Sequence, residues 1–126
     1  MIETLQEIAN DDVTLLRWGK LVTCKVLIGV GDVDFIVSIE KGRVDSLRKR
    51  ALPLESGVFA IRASEVVWNE YWQKLPKRNY HDLFSMFSSG LATIDGDLTI
   101  FMQNLIYFKL LFAAPRNCLR ELPSAK

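Results

Sequence analysis

LFSMFSSGLATIDGDLTIFMQNLIYFKLLFAAPR, residues Leu83 to Arg116, decides how this chain folds. A short aromatic segment carrying Leu83, Phe84 and Phe87 runs through Gly90 into a strand over Leu91 to Ile94. The chain then turns at Asp95-Gly96-Asp97 and enters an apolar helix from Leu98 to Ala114, closed by Pro115. Only Thr99, Gln103, Asn104 and Lys109 interrupt that helix with polarity. At about 100° per residue they scatter around the wheel, so the helix is predicted to be covered on most sides. A bilayer span needs about 20 predominantly apolar residues, and this run is shorter and carries Gln103, Asn104 and Lys109. The cover is therefore expected to be protein core or a bound apolar ligand.

The rest of the chain supplies the sheet beneath it. Leu21 to Val30 and Val33 to Glu40 flank Gly31-Asp32, a two-residue hairpin turn with glycine first. Setting Val30 against Val33 puts Ile28 opposite Phe35, Val26 opposite Val37 and Cys24 opposite Ile39. All eight side chains then share one apolar face. Leu27 meets Ile36 on the other face, among Lys25, Thr23, Ser38 and Glu40, which predicts a half-wet surface. Lys41-Gly42 returns the chain as a third strand from Arg43 to about Leu47. Val44 would face Ile39 correctly, but Arg48 would face Phe35, so this strand must bulge, bend or stop, as an edge strand can.

Pro53 and Ser56-Gly57 mark a loop, and Val58 to Arg62 is a fourth strand. Ser64 is placed to cap a helix from Glu65 to Leu75 with the stripe Trp68, Tyr71, Trp72 and Leu75, ended by Pro76. Asn79 is placed to cap the short aromatic helix. A weak helix over Met1 to Asn10 turns Ile2, Leu5 and Ile8 to one side. These elements make one α+β domain: a five-stranded antiparallel-rich sheet with helices packed on one face.

At 126 residues the chain can bury a core without staples, and its net charge of +1 gives no global reason to expect nucleic acid. Cys24 and Cys118 stand alone and far apart, which fits a reducing cytoplasm better than a disulfide framework or a zinc site. No N-terminal secretory signal is visible. Catalytic patterns are weak. His81, the single histidine, has Asp82 beside it and Ser85 a turn along, but nothing resembles a nucleophile elbow. Gly29-Val30-Gly31 starts like a dinucleotide fingerprint, but Asp34 replaces its last glycine and a hairpin follows it. Asp95-Gly96-Asp97 and Asp32/Asp34 lack the further ligands of a calcium loop. No metal or cofactor is expected.

Arg48-Lys49-Arg50 reads first as a solvated edge and second as a contact for an anionic membrane surface or the phosphates of an acyl thioester. Lys109 reads first as a snorkelling end-of-helix cation and second as a ligand contact. The covered helix, the Trp68 stripe and Leu83/Phe84/Phe87 together offer more apolar surface than a small sheet needs. That surplus implies an apolar cavity or a hydrophobic subunit contact.

The order of elements, with Tyr80-His81-Asp82-Leu83-Phe84, Ile94-Asp95-Gly96-Asp97 and the run from Asn104-Leu105 to Pro115-Arg116, resembles the sterol-carrier lipid-transfer domain family. The likeness spans about Trp18 to Arg116 and is greatest to bacterial single-domain members. It implies a non-catalytic carrier with an apolar tunnel for a fatty acid, fatty acyl thioester or steroid. The tunnel residues it implies are Trp68, Tyr71 and Trp72, then Phe84 and Phe87, then Phe101, Met102, Leu105 and Phe108. Lys109, read from its place on the long helix, joins them as a candidate headgroup contact. The N-terminal helical region is shorter than in eukaryotic carriers, and Ser124-Ala125-Lys126 is not their peroxisomal address. The alternative is an interaction or homodimerisation module using the same apolar surface.

Overall fold

The computed structural model describes residues 2, 4–50, 57–73, 76–80 and 82–124, with the backbone alone over 117–124. The expected features at Pro53, Ser56, Leu75, His81 and the Cys118 side chain lie outside what is described. The elements are α1 (Thr4–Asp11), α2 (Val13–Trp18), β1 (Cys24–Val30), β2 (Val33–Glu40), β3 (Arg43–Lys49) and β4 (Phe59–Ala63). They continue with α3 (Glu65–Tyr71), α4 (Leu83–Ser88), β5 (Ala92–Gly96), α5 (Leu98–Gln103) and α6 (Leu105–Ser124). The sheet order is β3-β2-β1-β4-β5. It is mixed: β1 and β4 run parallel at its centre and the other pairs are antiparallel.

The β1–β2 register agrees with the sequence reading at every pair, from Cys24 opposite Ile39 to Val30 opposite Val33. Gly31 takes φ +60 at the first turn position, which only glycine adopts without cost. The second turn places both Lys41 (φ +52) and Gly42 (φ +85) in the left-handed region. β3 carries the bulge that its charges demanded. Ile39 pairs with Val44, but Ser38 pairs with Ser46, leaving Asp45 unmatched. The side-chain amide of Asn10 then closes this edge, accepting from Val44 N (2.8 Å) and donating to Val44 O (3.0 Å). A helix residue thus occupies hydrogen-bonding groups that would otherwise invite another strand.

The helices contribute to the core on one sheet face, over Val26, Ile28, Val37, Ile39, Phe59 and Ile61. The opposite face is drier at its centre than its composition suggests, because Leu27, Ile36 and Ala60 bury together there. Rows of charge flank this patch: Asp34 lies 2.9 Å from Arg50 and 3.6 Å from Arg62, and Arg62 lies 3.7 Å from Asp95.

Five helical expectations need correction. The helix expected over Leu98 to Ala114 is two helices, broken at Asn104 (φ −124, ψ 40), whose side-chain amide and backbone N–H both donate to Ile100 O. An Asn side chain that bonds the local backbone competes with helix propagation. Beyond the break the buried stripe is Tyr107, Phe108, Leu111, Phe112, Ala114 and Pro115, so α6 has a wet side and is not apolar all round. Pro115 does not end it; α6 runs on to Ser124. Proline deprives Leu111 O of its helical donor, and at the next residue Phe112 O accepts from Trp72 Nε1 at 2.8 Å.

α3 ends at Tyr71 with Trp72 as its C-cap, earlier than Pro76 would require. The cap of α4 is Asp82, not Asn79, and its carboxylate accepts from Phe84 N at 2.8 Å. α2, unforeseen in the sequence, is capped by Asp12, which accepts from Thr14 N and Leu15 N. No helix among the described residues is long and apolar enough to cross a membrane.

Candidate functional site

α3 and α6 bring their aromatic faces together over β4, and the rings form one column. Phe84 meets Phe101 at 6.1 Å between centroids, Phe101 meets Phe59 at 5.2 Å, and Phe59 meets Phe108 at 5.0 Å. Phe108 continues to Phe112 (6.4 Å), Phe112 to Trp68 (6.4 Å), and Trp68 to Trp72 (5.1 Å, near-parallel). Tyr71 joins at Trp68 and Phe87 at Phe84. Seven of the ten candidate residues therefore belong to one continuous ring system. Three further members, Phe59, Phe112 and Tyr107, the last 5.2 Å from Phe108, were not among them. Phe59 sits in a strand that the sequence marks only as short and apolar. Phe112 became legible as a core residue only once the break at Asn104 reset the helix phase.

Both indoles are satisfied inside this apolar column, Trp68 Nε1 on Gly29 O and Trp72 Nε1 on Phe112 O, each at 2.8 Å. Ring orientation is thereby fixed without a polar side chain in the column. Arg116 ties α6 to α3, donating to Tyr71 O from Nε (3.1 Å) and Nη2 (2.6 Å) with its guanidinium 4.9 Å from the Tyr71 ring centroid.

The remaining three candidates are elsewhere. Met102 points to solvent and Leu105 is half-buried, both bordering a depression of about 240 Å³ at the α5–α6 elbow with Trp18 and Ile106. Met102 follows Phe101 in α5 and so turns about 100° off its face, and the break at Asn104 separates Leu105 from both. Lys109 is exposed, with Nζ 5.1 Å from the Phe84 centroid at one end of the column.

The other end opens. Trp72 borders a half-open depression of about 280 Å³ with an apolar floor of Ile2, Val30, Val33 and Phe35 and a rim of Lys49, Glu65 and Asn69. The β3 bulge explains the lysine. By shifting the register it sets Lys49, not Arg48, opposite Phe35 and so on the helix-covered face. The sequence signal was there, in the Arg48/Phe35 conflict, but which way a bulge resolves such a conflict depends on where it falls.

Little here is suited to covalent chemistry. Burial pushes the Cys24 thiol up to about 11, so at neutral pH it is a protonated, poorly nucleophilic thiol. Among the described residues no group of three His, Cys, Asp or Glu side chains could hold a metal ion.

No family model matches the sequence, and no curated protein matches it. The fold does find matches. The crystal structure of sterol carrier protein 2 superposes with a TM-score of 0.71 at 14% identity, over 90% of this chain and 92% of that one. The chain has the sterol-carrier fold. A conserved hypothetical protein of Thermus thermophilus, suggested to be a sterol carrier, matches at TM-score 0.62 and 13% identity, over 89% of this chain and 83% of that one. The ubiquinone synthesis protein UbiJ-SCP2 matches at TM-score 0.58 and 13% identity, over 90% of this chain and 85% of that one. Within this sterol-carrier fold the aromatic column occupies the layer between sheet and helices.

Proposed function

We propose that this protein is a non-catalytic binder and carrier of an amphipathic lipid, a fatty acid, fatty acyl thioester or steroid. The acyl chain or ring system lies between sheet and helices. The observation that carries the reading is the aromatic column running from Phe84 to Trp72 and opening at the Lys49 depression. Its rings touch one another throughout, so a ligand enters by parting them from the Trp72 end. Burial of a chain contributes about 0.8 kcal/mol per methylene, so a dozen methylenes offset both the ring displacement and the cost of association. Sterol-carrier folds among the solved structures support the lipid class.

The two lysines divide the roles. Lys49 stands at the open end with Asn69 and Glu65, and a carboxylate or phosphate would rest against Lys49 and Asn69, away from Glu65, once the chain is inserted. Lys109 covers the face of Phe84 and contributes packing and a cation–π contact instead. A fluorescent fatty acid should bind and be displaced by long-chain acids and by steroids. Lys49→Met should weaken the acids roughly tenfold and leave steroids within twofold, as expected for one charge-assisted hydrogen bond at an exposed rim. Lys109→Met should change neither class selectively. Equal losses for acid and steroid in Lys49→Met would mean altered packing and no headgroup contact. No displacement by any acid, thioester or steroid would remove the carrier reading itself.

A further inference from the structure

One apolar surface lies outside the column. Leu98, Met102 and Ile106 follow one another at four-residue spacing across the α5–α6 elbow, and Met102 and Ile106 are 56% and 48% exposed. Trp18, at the end of α2 and 51% exposed, borders the same depression as Met102 and Ile106. Leu21 follows in a turn closed by Val22 N on Gly19 O (2.9 Å) and is 95% exposed. That turn is fastened to the elbow. Gly19 packs so closely on Tyr107 and on Gly42 that a Cβ there would meet both, and Tyr107 Oη donates to Gly42 O at 2.7 Å. Apolar residues scattered singly on a surface are ordinary; a tryptophan, a methionine and an isoleucine around one depression, with an exposed leucine on the adjoining turn, are not.

The rim of this face is basic. Arg17 and Lys20 flank Trp18 and Leu21 in the chain, and Lys41 sits on the turn that receives Val22 and Tyr107 through Gly42. All three are exposed, and none makes an ion pair among the described residues. Glu40, beside this turn, has Arg43 as its opposite number in the β2–β3 ladder. Tryptophan with aliphatic side chains inside a cationic rim matches the interface of an anionic bilayer, where indoles sit at headgroup depth and lysines reach phosphates. A second copy of the chain fits less well. A two-fold contact would bring together two rims of the same positive charge.

We propose that the elbow face of Trp18, Leu21, Met102 and Ile106, rimmed by Arg17, Lys20 and Lys41, docks on anionic phospholipid surfaces. It is separate from the Lys49 mouth of the aromatic column and stands whether or not that column carries lipid.

Trp18 supplies the readout, because Trp68 and Trp72 are already buried. Vesicles of equal phosphatidylglycerol and phosphatidylcholine should sediment the protein and shift its tryptophan emission to the blue, and phosphatidylcholine vesicles should do neither. Trp18→Phe should abolish the shift while the protein still sediments. Each basic residue at an anionic surface strengthens binding roughly fivefold, so Arg17→Glu with Lys20→Glu should weaken sedimentation at least roughly 25-fold. Raising salt to about 0.5 M should weaken the wild type similarly. Leu21→Ser, at a position with no packing to lose, should weaken binding severalfold without changing the melting temperature. Sedimentation unchanged in the charge-reversed and Leu21→Ser proteins would overturn the proposal. So would a concentration-dependent dimer of the wild type that these substitutions dissociate, since the face would then belong to a second copy.

Discussion

Phe108→Ala should destabilise the protein by about 3–5 kcal/mol, the largest single-residue effect expected in the core. Phe108 is fully buried and touches Phe59, Phe101, Phe112 and Tyr107, so truncation leaves a void that rigid neighbours on β4 and both terminal helices cannot close. A domain of this size is stable by about 5–15 kcal/mol, and the loss should appear as a large fall in the urea midpoint. Met102→Ala, six residues earlier on what the sequence presents as one apolar run, should cost less than about 0.5 kcal/mol because Met102 faces solvent. Similar losses in the two variants would mean that Met102 is covered too, as on a helix with no wet side.

The second large effect is alkaline unfolding. Tyr71 and Tyr107 are both buried, and burial pushes both phenols well above the usual tyrosine range, with Arg116 pulling Tyr71 partly back. Their folded-state values lie above the unfolded value of about 10, so the folded protein holds protons that the unfolded chain releases. The associated stability is whole below about pH 10 and is lost as pH rises beyond it. Two such groups cost about 2.7 kcal/mol per pH unit, enough to unfold a marginal domain by about pH 12. Tyr107→Phe forfeits the bond to Gly42 O and should be less stable at pH 8. Its stability should nevertheless fall about two-thirds as steeply up to about pH 11, where the raised Cys24 thiol also contributes, and about half as steeply beyond. Chemical denaturation at steps from pH 8 to pH 11.5 measures both slopes. Parallel slopes in wild type and variant would show that Tyr107 ionises freely in the folded state.

How far the sequence disclosed this molecule depended on whether a local rule had a competitor. The β1–β2 register was legible because period-two alternation and a glycine-first turn leave one pairing that buries a clean face. The β3 irregularity was legible because Arg48 could not stand opposite Phe35, but the placement of the bulge, and hence of Lys49 beside Trp72, was not. The parallel β1–β4 pair was equally hidden, since nothing in either strand records which neighbour lies at its other edge.

The elbow at Asn104 failed for a different reason. Apolar residues on both sides of a break read as one helix, and composition alone cannot reveal that Met102 and Ile106 are the apolar residues left outside. Of the candidate site, the aromatic members were legible from stripe spacing on Trp68, Tyr71 and Trp72, because bulky rings at helical period must bury whatever their later use. Phe59, Phe112 and the Lys49 mouth needed tertiary structure.

The central claim is that a lipid occupies the layer between sheet and helices. A long-chain fatty acid carrying a ¹³C terminal methyl, titrated into the protein and followed by NMR, tests it most directly. The account predicts saturable one-to-one binding, with contacts from that methyl to the rings of Trp68, Phe108 or Phe112 and shifts at Lys49 and Asn69. Binding that never saturates, or a methyl that contacts only Trp18, Met102 and Ile106 on the outer elbow, would contradict it.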